Sequence, residues 1–293
     1  MQQLRYVVAV ARTGNFSRAA EQCHVSQPSL SQQIQKLEDE LGERLFDRLK
    51  RTARMTAHGE VFLARAVRIL DEAEAARRDI SDAKGLQNGR FTVGALPTIA
   101  PFLLPPMLVT FARKFPRVEV SVHEDTTAQL IRQIHAYEID LALVSRPIEE
   151  ERLEVRDLFT EELKLALPPG HRLGRKRFIK SEDLQEEHLI VMKSDHCLGD
   201  QVLDFCGRSD FRPNISFRSA QLETIQALVY AGVGLSLVPE MAVRSDRKGV
   251  PEYRSLSGPK PERTIVAIWP KQRPPGRAAA EFLKLALQEA LKR

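Results

Sequence analysis

Residues Phe16 to Arg48 read FSRAAEQCHVSQPSLSQQIQKLEDELGERLFDR, and the punctuation of that stretch decides the front of the chain. Ser17 can cap a helix whose Ala20 and Cys23 fall on one face. A turn at His24-Val25 leads to Ser26, a favourable N-cap, with Pro28 tolerated in the first turn of a further helix. That helix buries Leu30, Ile34, Leu37 and Leu41, spaced four, three and four residues apart, and Gly42 ends it. Upstream, Leu4, Val7, Val8 and Ala11 repeat with a helical period until Gly14-Asn15 breaks the pattern. Three short helices joined by tight turns suggest a helix-turn-helix module.

The face of the third helix opposite its apolar stripe carries Gln27, Ser29, Ser31, Gln32 and Gln35. Amide and hydroxyl groups suit base edges and phosphates, and a helix N-terminus adds free N–H groups for phosphate. An isolated polar stripe is most often only solvated. Here it precedes the densest cationic run of the front segment, Arg44, Arg48, Lys50, Arg51 and Arg54, opposed only by Glu43 and Asp47. The net charge of +5 is concentrated in front, with nine basic against six acidic residues in 1–58 and twenty-nine against twenty-seven in 91–293. Stripe, capped turn and local positive field together point to double-stranded DNA as a partner.

Outward from this module, no Pro or further Gly follows Gly59 until Gly85, and Phe62, Ala66, Ile69, Ala73, Ala76, Ile80 and Ala83 alternate at four and three residues. Such a seam pairs one helix with another, either within its own domain or, as its small alanines favour, across a dimer. Gly85 to Gly89 reads as a linker or hinge. After Arg90, strands are expected at Phe91–Leu96, Val118–Glu124, Leu141–Ser145, Leu189–Met192, Ile215–Ser219, Leu235–Val238 and Thr264–Trp269. Helices are expected at Pro101–Lys114, Ala128–Tyr137, Gln221–Ala231 and Gly276–Leu291. This alternation is that of a mixed α/β domain, which takes ligands where strands end at a topological switch.

The 293 residues, 43% of them hydrophobic, leave room for two domains and argue against intrinsic disorder. No apolar run approaches the roughly 18–20 residues that span a bilayer, so no membrane partner is expected. Three cysteines cannot form an even framework of staples, which points to a reducing cytoplasm.

Cys197 and Cys206 close the segment HCLGDQVLDFC, nine residues apart. That spacing is wrong for zinc and is not a C-x-x-C redox motif, so no metal and no cofactor are expected. Were the segment helical, its ends would lie about 13 Å apart on opposite faces, whereas a disulfide needs Cα atoms roughly 4.4–6.8 Å apart. The pair could then bond only if the segment refolded. His196 can favour a reactive thiolate at Cys197, while Cys206 follows Leu203 and Phe205 on an apolar face. From these residues alone, two buried structural thiols and a redox pair both remain open.

From Phe16 to the basic turn and Thr56-Ala-His-Gly59, the chain resembles the winged helix-turn-helix of LysR-type transcriptional regulators, and the resemblance continues over essentially the whole chain. It implies a winged helix-turn-helix in 1–58, a dimerising linker helix and hinge in 59–89, and a two-lobed α/β effector domain like periplasmic binding proteins in 90–293. One lobe would hold about 90–163 and 265–293, the other about 164–264. By the same resemblance, Gln27, Pro28, Ser29, Ser31 and Gln32 would enter the major groove, with Arg51 and Arg54 on the wing at backbone or minor groove. HCLGDQVLDFC, together with ALPTIAPFLLP at 95–105, is similar to the peroxide-sensing members of the family. That similarity makes Cys197 the thiol that meets hydrogen peroxide and Cys206 the one that resolves it to a disulfide. Peroxide would be positioned by Thr98, Thr127, His196 and, less centrally, Arg263. The implied protein is a cytoplasmic activator and not an enzyme, a dimer or tetramer that works with RNA polymerase. A small organic anion between the lobes, with structural cysteines, is the competing effector. Gly199 departs from the pattern, standing where a longer side chain is common, and the chain starts a few residues short of it.

Ala231-Gly232-Val233-Gly234 follows a helix and precedes a strand, the wrong order for a dinucleotide site, so it reads as a turn. His123, His135 and His171 lack carboxylate spacing for a metal. The pairs Glu161-Glu162 and Glu186-Glu187 read as solvated, and Trp269 as packing at a strand end.

Overall fold

The computed structural model describes residues 1–49, 52–82, 89–193, 195–209, 212–244 and 248–291, with side chains omitted at 48, 49, 52, 68, 71, 72 and 74–82. The chain forms two compact units, Met1–Gly85 and Leu86–Arg293.

In the first unit α1 (Gln2–Thr13), α2 (Phe16–Gln22) and α3 (Gln27–Leu41) precede a two-stranded wing, β1 (Phe46–Leu49) and β2 (Thr52–Met55), and the long α4 (Ala57–Asp82). Gly14 and Gly42 end α1 and α3 in the left-handed region, at φ 61° and 73°, where a Cβ would be strained. Ser26 caps α3 as expected, its Oγ accepting from Ser29 N–H. The cap of α2 is Asn15 and not Ser17: its Oδ1 accepts from Ser17 and Arg18 N–H at 2.8 and 3.1 Å, and Ser17 is already the second residue of the helix. Val7, Val10, Ala19, Leu30, Ile34, Leu45 and Phe46 form the core. Glu38, buried with them, accepts Leu45 and Phe46 N–H at 2.7 and 3.1 Å and so fixes where the wing begins. The Thr-Ala-His-Gly motif also has a physical role. Thr56 Oγ1 accepts from Gly59 N–H, capping α4, and a Cβ on Gly59 would stand 2.1 Å from the Leu45 carbonyl oxygen.

The seam on α4 divides. Phe62 packs on the core of its own unit and Ala66 is fully buried, while Ile69 is 49% exposed. The side chains of Ala76, Ile80 and Ala83 lie outside the described residues.

The second unit contains β3 (Gly89–Ala95), α5 (Ala100–Lys114), β4 (Val118–Glu124), α6 (Thr127–His135), β5 (Leu141–Ser145) and β6 (Leu153–Leu167). There follow β7 (His188–Met192), α7 (Cys197–Arg208), β8 (Asn214–Ser219), α8 (Leu222–Tyr230), β9 (Ser236–Pro239), β10 (Glu252–Arg254), β11 (Glu262–Pro270) and α9 (Arg277–Ala290). Strands β3, β4 and β5 are parallel, and β11 joins antiparallel between β5 and β6. The fifteen-residue β6 was not expected from the sequence. Its first part pairs with β11, and its last residues, Leu163–Leu167, turn to β9 and β10. One strand thus runs through both lobes.

Each lobe has its own core. Phe91, Phe111, Leu143, Val266 and Phe282 centre the first, and Leu165, Leu189, Ile190, Val202 and Leu237 the second. Among the described residues no helix is long and apolar enough to cross a membrane.

Candidate redox site and nucleic-acid interface

Three chain segments reach the candidate site by leaving strands at their C-terminal ends. Thr98 lies between β3 and α5, Thr127 opens α6 after β4, and Cys197 opens α7 after β7. Helix N-termini carry partial positive charge and unpaired N–H groups, which favour an anion such as a thiolate.

Arg263 on β11 is the largest fully buried side chain among the described residues. Its Nη1 donates to Thr98 Oγ1 at 2.9 Å, its Nη2 to the Thr98 carbonyl at 3.1 Å, and its Nε to Glu161 Oε1 at 2.8 Å. Burial pushes the Cys197 thiol up from the usual range. The Arg263 charge and the Thr127 hydroxyl oppose that rise, while Asp200 adds to it. Thr127 Oγ1 is buried and makes no bond of good geometry among the described residues, although it lies close enough to the sulfur to favour its thiolate. Apart from the sulfur, that hydroxyl has no hydrogen-bond partner among the described residues. His196 is the N-cap residue of α7 with its side chain 11% exposed, and Nε2 is 3.9 Å from Asp195 Oδ1. Among the described residues no group of His, Cys, Asp and Glu could hold a metal ion.

Cys206 is fully buried in the second core, and burial pushes its thiol up to about 11. Cys197 packs against the first core. Both belong to the twelve-residue α7, and both are free thiols. The helical condition stated for the segment therefore holds. Gly199 also has an account: a Cβ there would stand 2.6 Å from the Met192 carbonyl oxygen, so α7 begins too close to the end of β7 for a side chain.

Glu161, its neighbour Glu162 and Gln201 were missed. The pair Glu161-Glu162 is not solvated: both are buried on β6, Glu161 facing Arg263 and Glu162 bonding Lys164 and Lys260. Alternating polarity does not reveal partners brought by a strand a hundred residues away. Gln201 on α7 donates from Nε2 to Ser145 Oγ and to the Arg146 carbonyl, each at 2.8 Å, tying α7 to the end of β5. Beside it, Arg146, Asp204, Arg208 and Glu262 help line a cleft of about 660 Å³.

In the first unit, Gln27, Pro28, Ser29 and Gln32 are exposed at the start of α3, Ser31 is half-buried, and Arg54 is exposed on β2. Arg51 lies outside the described residues.

A capped helix-turn-helix with a wing, followed by a two-lobed α/β domain, defines a class of bacterial regulator, and the chain belongs to the LysR family of transcriptional regulators. Residues 1–60 match the bacterial regulatory helix-turn-helix proteins of the lysR family, and 84–291 match the LysR substrate binding domain. The chain is 36% identical to the hydrogen peroxide-inducible genes activator of Dickeya chrysanthemi, over 92% of this chain and 88% of that protein. It superposes on a full-length OxyR variant from Pseudomonas aeruginosa with a TM-score of 0.77 at 33% identity, covering 98% and 97% of the two chains. Full-length CbnR in complex with its target DNA gives a TM-score of 0.71 at 26% identity, covering 98% of each.

Proposed function

We propose that this chain is a peroxide-responsive transcriptional activator in which Cys197 is oxidised and Cys206 resolves it. The observation that carries this reading is a thiol at a helix N-terminus, set beside the Arg263–Thr98 pair and the buried Thr127 hydroxyl. The name of the Dickeya relative supports it. In the first step the Cys197 thiolate attacks one oxygen of HOOH. An S–O bond forms, the O–O bond breaks, and the departing hydroxide takes a proton from His196 or solvent. Thr98 and Thr127 hold the two oxygens. In the second step the Cys206 thiol attacks the sulfenic sulfur, forming the disulfide and releasing water. Two electrons leave the thiols and peroxide becomes two waters. Because α7 separates the sulfurs, the second step requires the helix to unwind, and that rearrangement is the signal.

The rest of the reading follows the family. Residues 1–58 bind double-stranded DNA, a reading supported by the DNA complex of the similar CbnR; Gln27, Pro28, Ser29, Ser31 and Gln32 enter the major groove, and Arg51 and Arg54 meet the backbone or minor groove. Residues 59–89 link and dimerise, and 90–163 with 265–293 and 164–264 form the lobes. The protein acts in the cytoplasm as a dimer or tetramer, through RNA polymerase. Cys197→Ser is expected to keep DNA binding and lose the footprint change on peroxide; a Cys197→Ser protein that still changes its footprint sinks the assignment. A second reading, an organic anion as effector, is favoured by the arginine-lined cleft of about 660 Å³. Thiol titration after one equivalent of peroxide separates the two: loss of two thiols supports the sensor, and no loss supports the anion.

A further inference from the structure

We propose that Glu161 is a positioning residue for the peroxide step: it fixes the Arg263 guanidinium and, through it, the direction in which the Thr98 hydroxyl donates. This role rests on the reading of Cys197 as the peroxide-reducing thiol.

Glu161 and Arg263 are direct cross-strand partners on β6 and β11, and both side chains are buried, at 5% and 0% exposure. The carboxylate takes only the Nε–H of the guanidinium, at 2.8 Å, which leaves the Nη groups turned to Thr98. Because Thr98 Oγ1 accepts from Nη1, its own hydrogen is free to donate elsewhere, and a peroxide oxygen is a suitable acceptor. The other carboxylate oxygen, Oε2, accepts Met241 N–H at 2.8 Å. Met241 belongs to the short turn Glu240–Ala242 after β9, so the same carboxylate ties the guanidinium to the strand-end turn. Two converging N–H donors demand an acceptor on each oxygen, which a carboxylate supplies and a carboxamide does not.

The charge matters as well as the shape. The charged and polar groups acting on Cys197 are Arg263 from β11, the Thr127 hydroxyl from α6, and Asp200 and the Leu198 N–H on its own helix, with His196 and Asp195 preceding it. Those acting on Glu161 are Arg263 and the Met241 N–H. Glu161 partly neutralises the Arg263 charge that acts on the sulfur. Removing its charge while keeping its size leaves Arg263 uncompensated and makes the thiol more acidic.

The test uses the full chain with Cys23→Ser and Cys206→Ser, so that Cys197 alone reacts. Stopped-flow reduction of hydrogen peroxide and the pH profile of alkylation by iodoacetamide are compared in the parent, Glu161→Gln and Glu161→Asp. Glu161→Gln is expected to move the alkylation midpoint to lower pH. Its limiting peroxide rate constant at high pH should fall on the order of tenfold to a hundredfold, the scale on which misplacing a reacting group acts. Glu161→Asp keeps the charge but withdraws it from Arg263 by one methylene, so it should lose limiting rate and move the midpoint in the same direction by less; it carries the test if the Gln variant does not fold, and an unmoved midpoint in it then overturns the role. A fast parent with equally fast variants overturns the role of Glu161 alone. A rate loss in Glu161→Gln with an unmoved midpoint overturns it too, because a merely structural carboxylate would behave that way. A parent no faster than free cysteine overturns the peroxide reading and this role with it.

Discussion

Cys197 and Cys206 occupy the first and last turns of one helix and pack into two different hydrophobic cores. At 1.5 Å per residue their Cα atoms are separated by roughly 13 Å along the axis, more than a disulfide can span. Cys206 is also the better hidden. With its pKa pushed up to about 11 by burial, only about one molecule in a thousand carries a Cys206 thiolate at pH 8. Brief alkylation of the reduced native protein, read by mass spectrometry, should therefore label Cys206 far more slowly than Cys197, and denaturant should abolish the difference. Equal labelling in the native state would contradict this burial.

Gln201 holds α7 to β5 through two hydrogen bonds of 2.8 Å. Each contributes about 1 kcal/mol, so replacing Gln201 by Leu should ease the unwinding that brings Cys206 to the oxidised sulfur. Two-phase stopped-flow fluorescence is expected to show an unchanged peroxide-dependent phase and a peroxide-independent phase faster by about fivefold or more. A slower second phase would mean that these bonds guide the rearrangement instead of restraining it.

Arg263 lowers the Cys197 pKa against the upward push of burial. Arg263→Met removes that help and leaves Glu161 buried without its cation, so both effects move the thiol upward. The alkylation midpoint should shift to higher pH, the opposite sense from Glu161→Gln. Breaking a buried pair also costs about 3–5 kcal/mol of stability, much of which replacement of both partners by apolar residues restores. Thermal unfolding of Arg263→Met against Glu161→Leu/Arg263→Met reads the difference, and the double variant should regain stability without regaining peroxide reactivity.

Glu38 carries two backbone N–H groups of the wing on one buried oxygen. In Glu38→Ala those donors lose their acceptor, at about 1–3 kcal/mol for each group left unsatisfied. The isolated signal to follow is DNA affinity in titrations at fixed salt, which should fall while the peroxide reaction of Cys197 stays at its parental rate. Unaltered DNA binding would show that the wing keeps its place without the carboxylate.

The two halves of the chain differed in how much their sequence disclosed. In the first unit the signals are local: Ser26, Gly42 and the apolar spacing of Leu30, Ile34 and Leu37 act within a few residues of themselves, and each has the expected place. Even there the cap of α2 shifted to Asn15, because Asn15 and Ser17 are both competent caps and the hydrogen bonds select between them. In the second unit α5, α6, α8, α9 and most strands announced themselves by period, α7 stayed a condition, and β6 did not show, since Leu158 and Phe159 are consecutive where a bulge against β11 breaks the two-residue period.

By itself the sequence determined the winged module, the alternating α/β body and the nine-residue step between the cysteines, because caps, periods and spacings are properties of neighbouring residues. Tertiary structure alone decided that α7 keeps the two thiols apart, that Gly199 is forced by the Met192 carbonyl, and that Glu161 is a buried partner of Arg263. Glu161 and Arg263 stand 102 residues apart and meet through the antiparallel register of β6 with β11. The charge of a glutamate is written in the chain, but whether water or a guanidinium answers it depends on which strand arrives beside it.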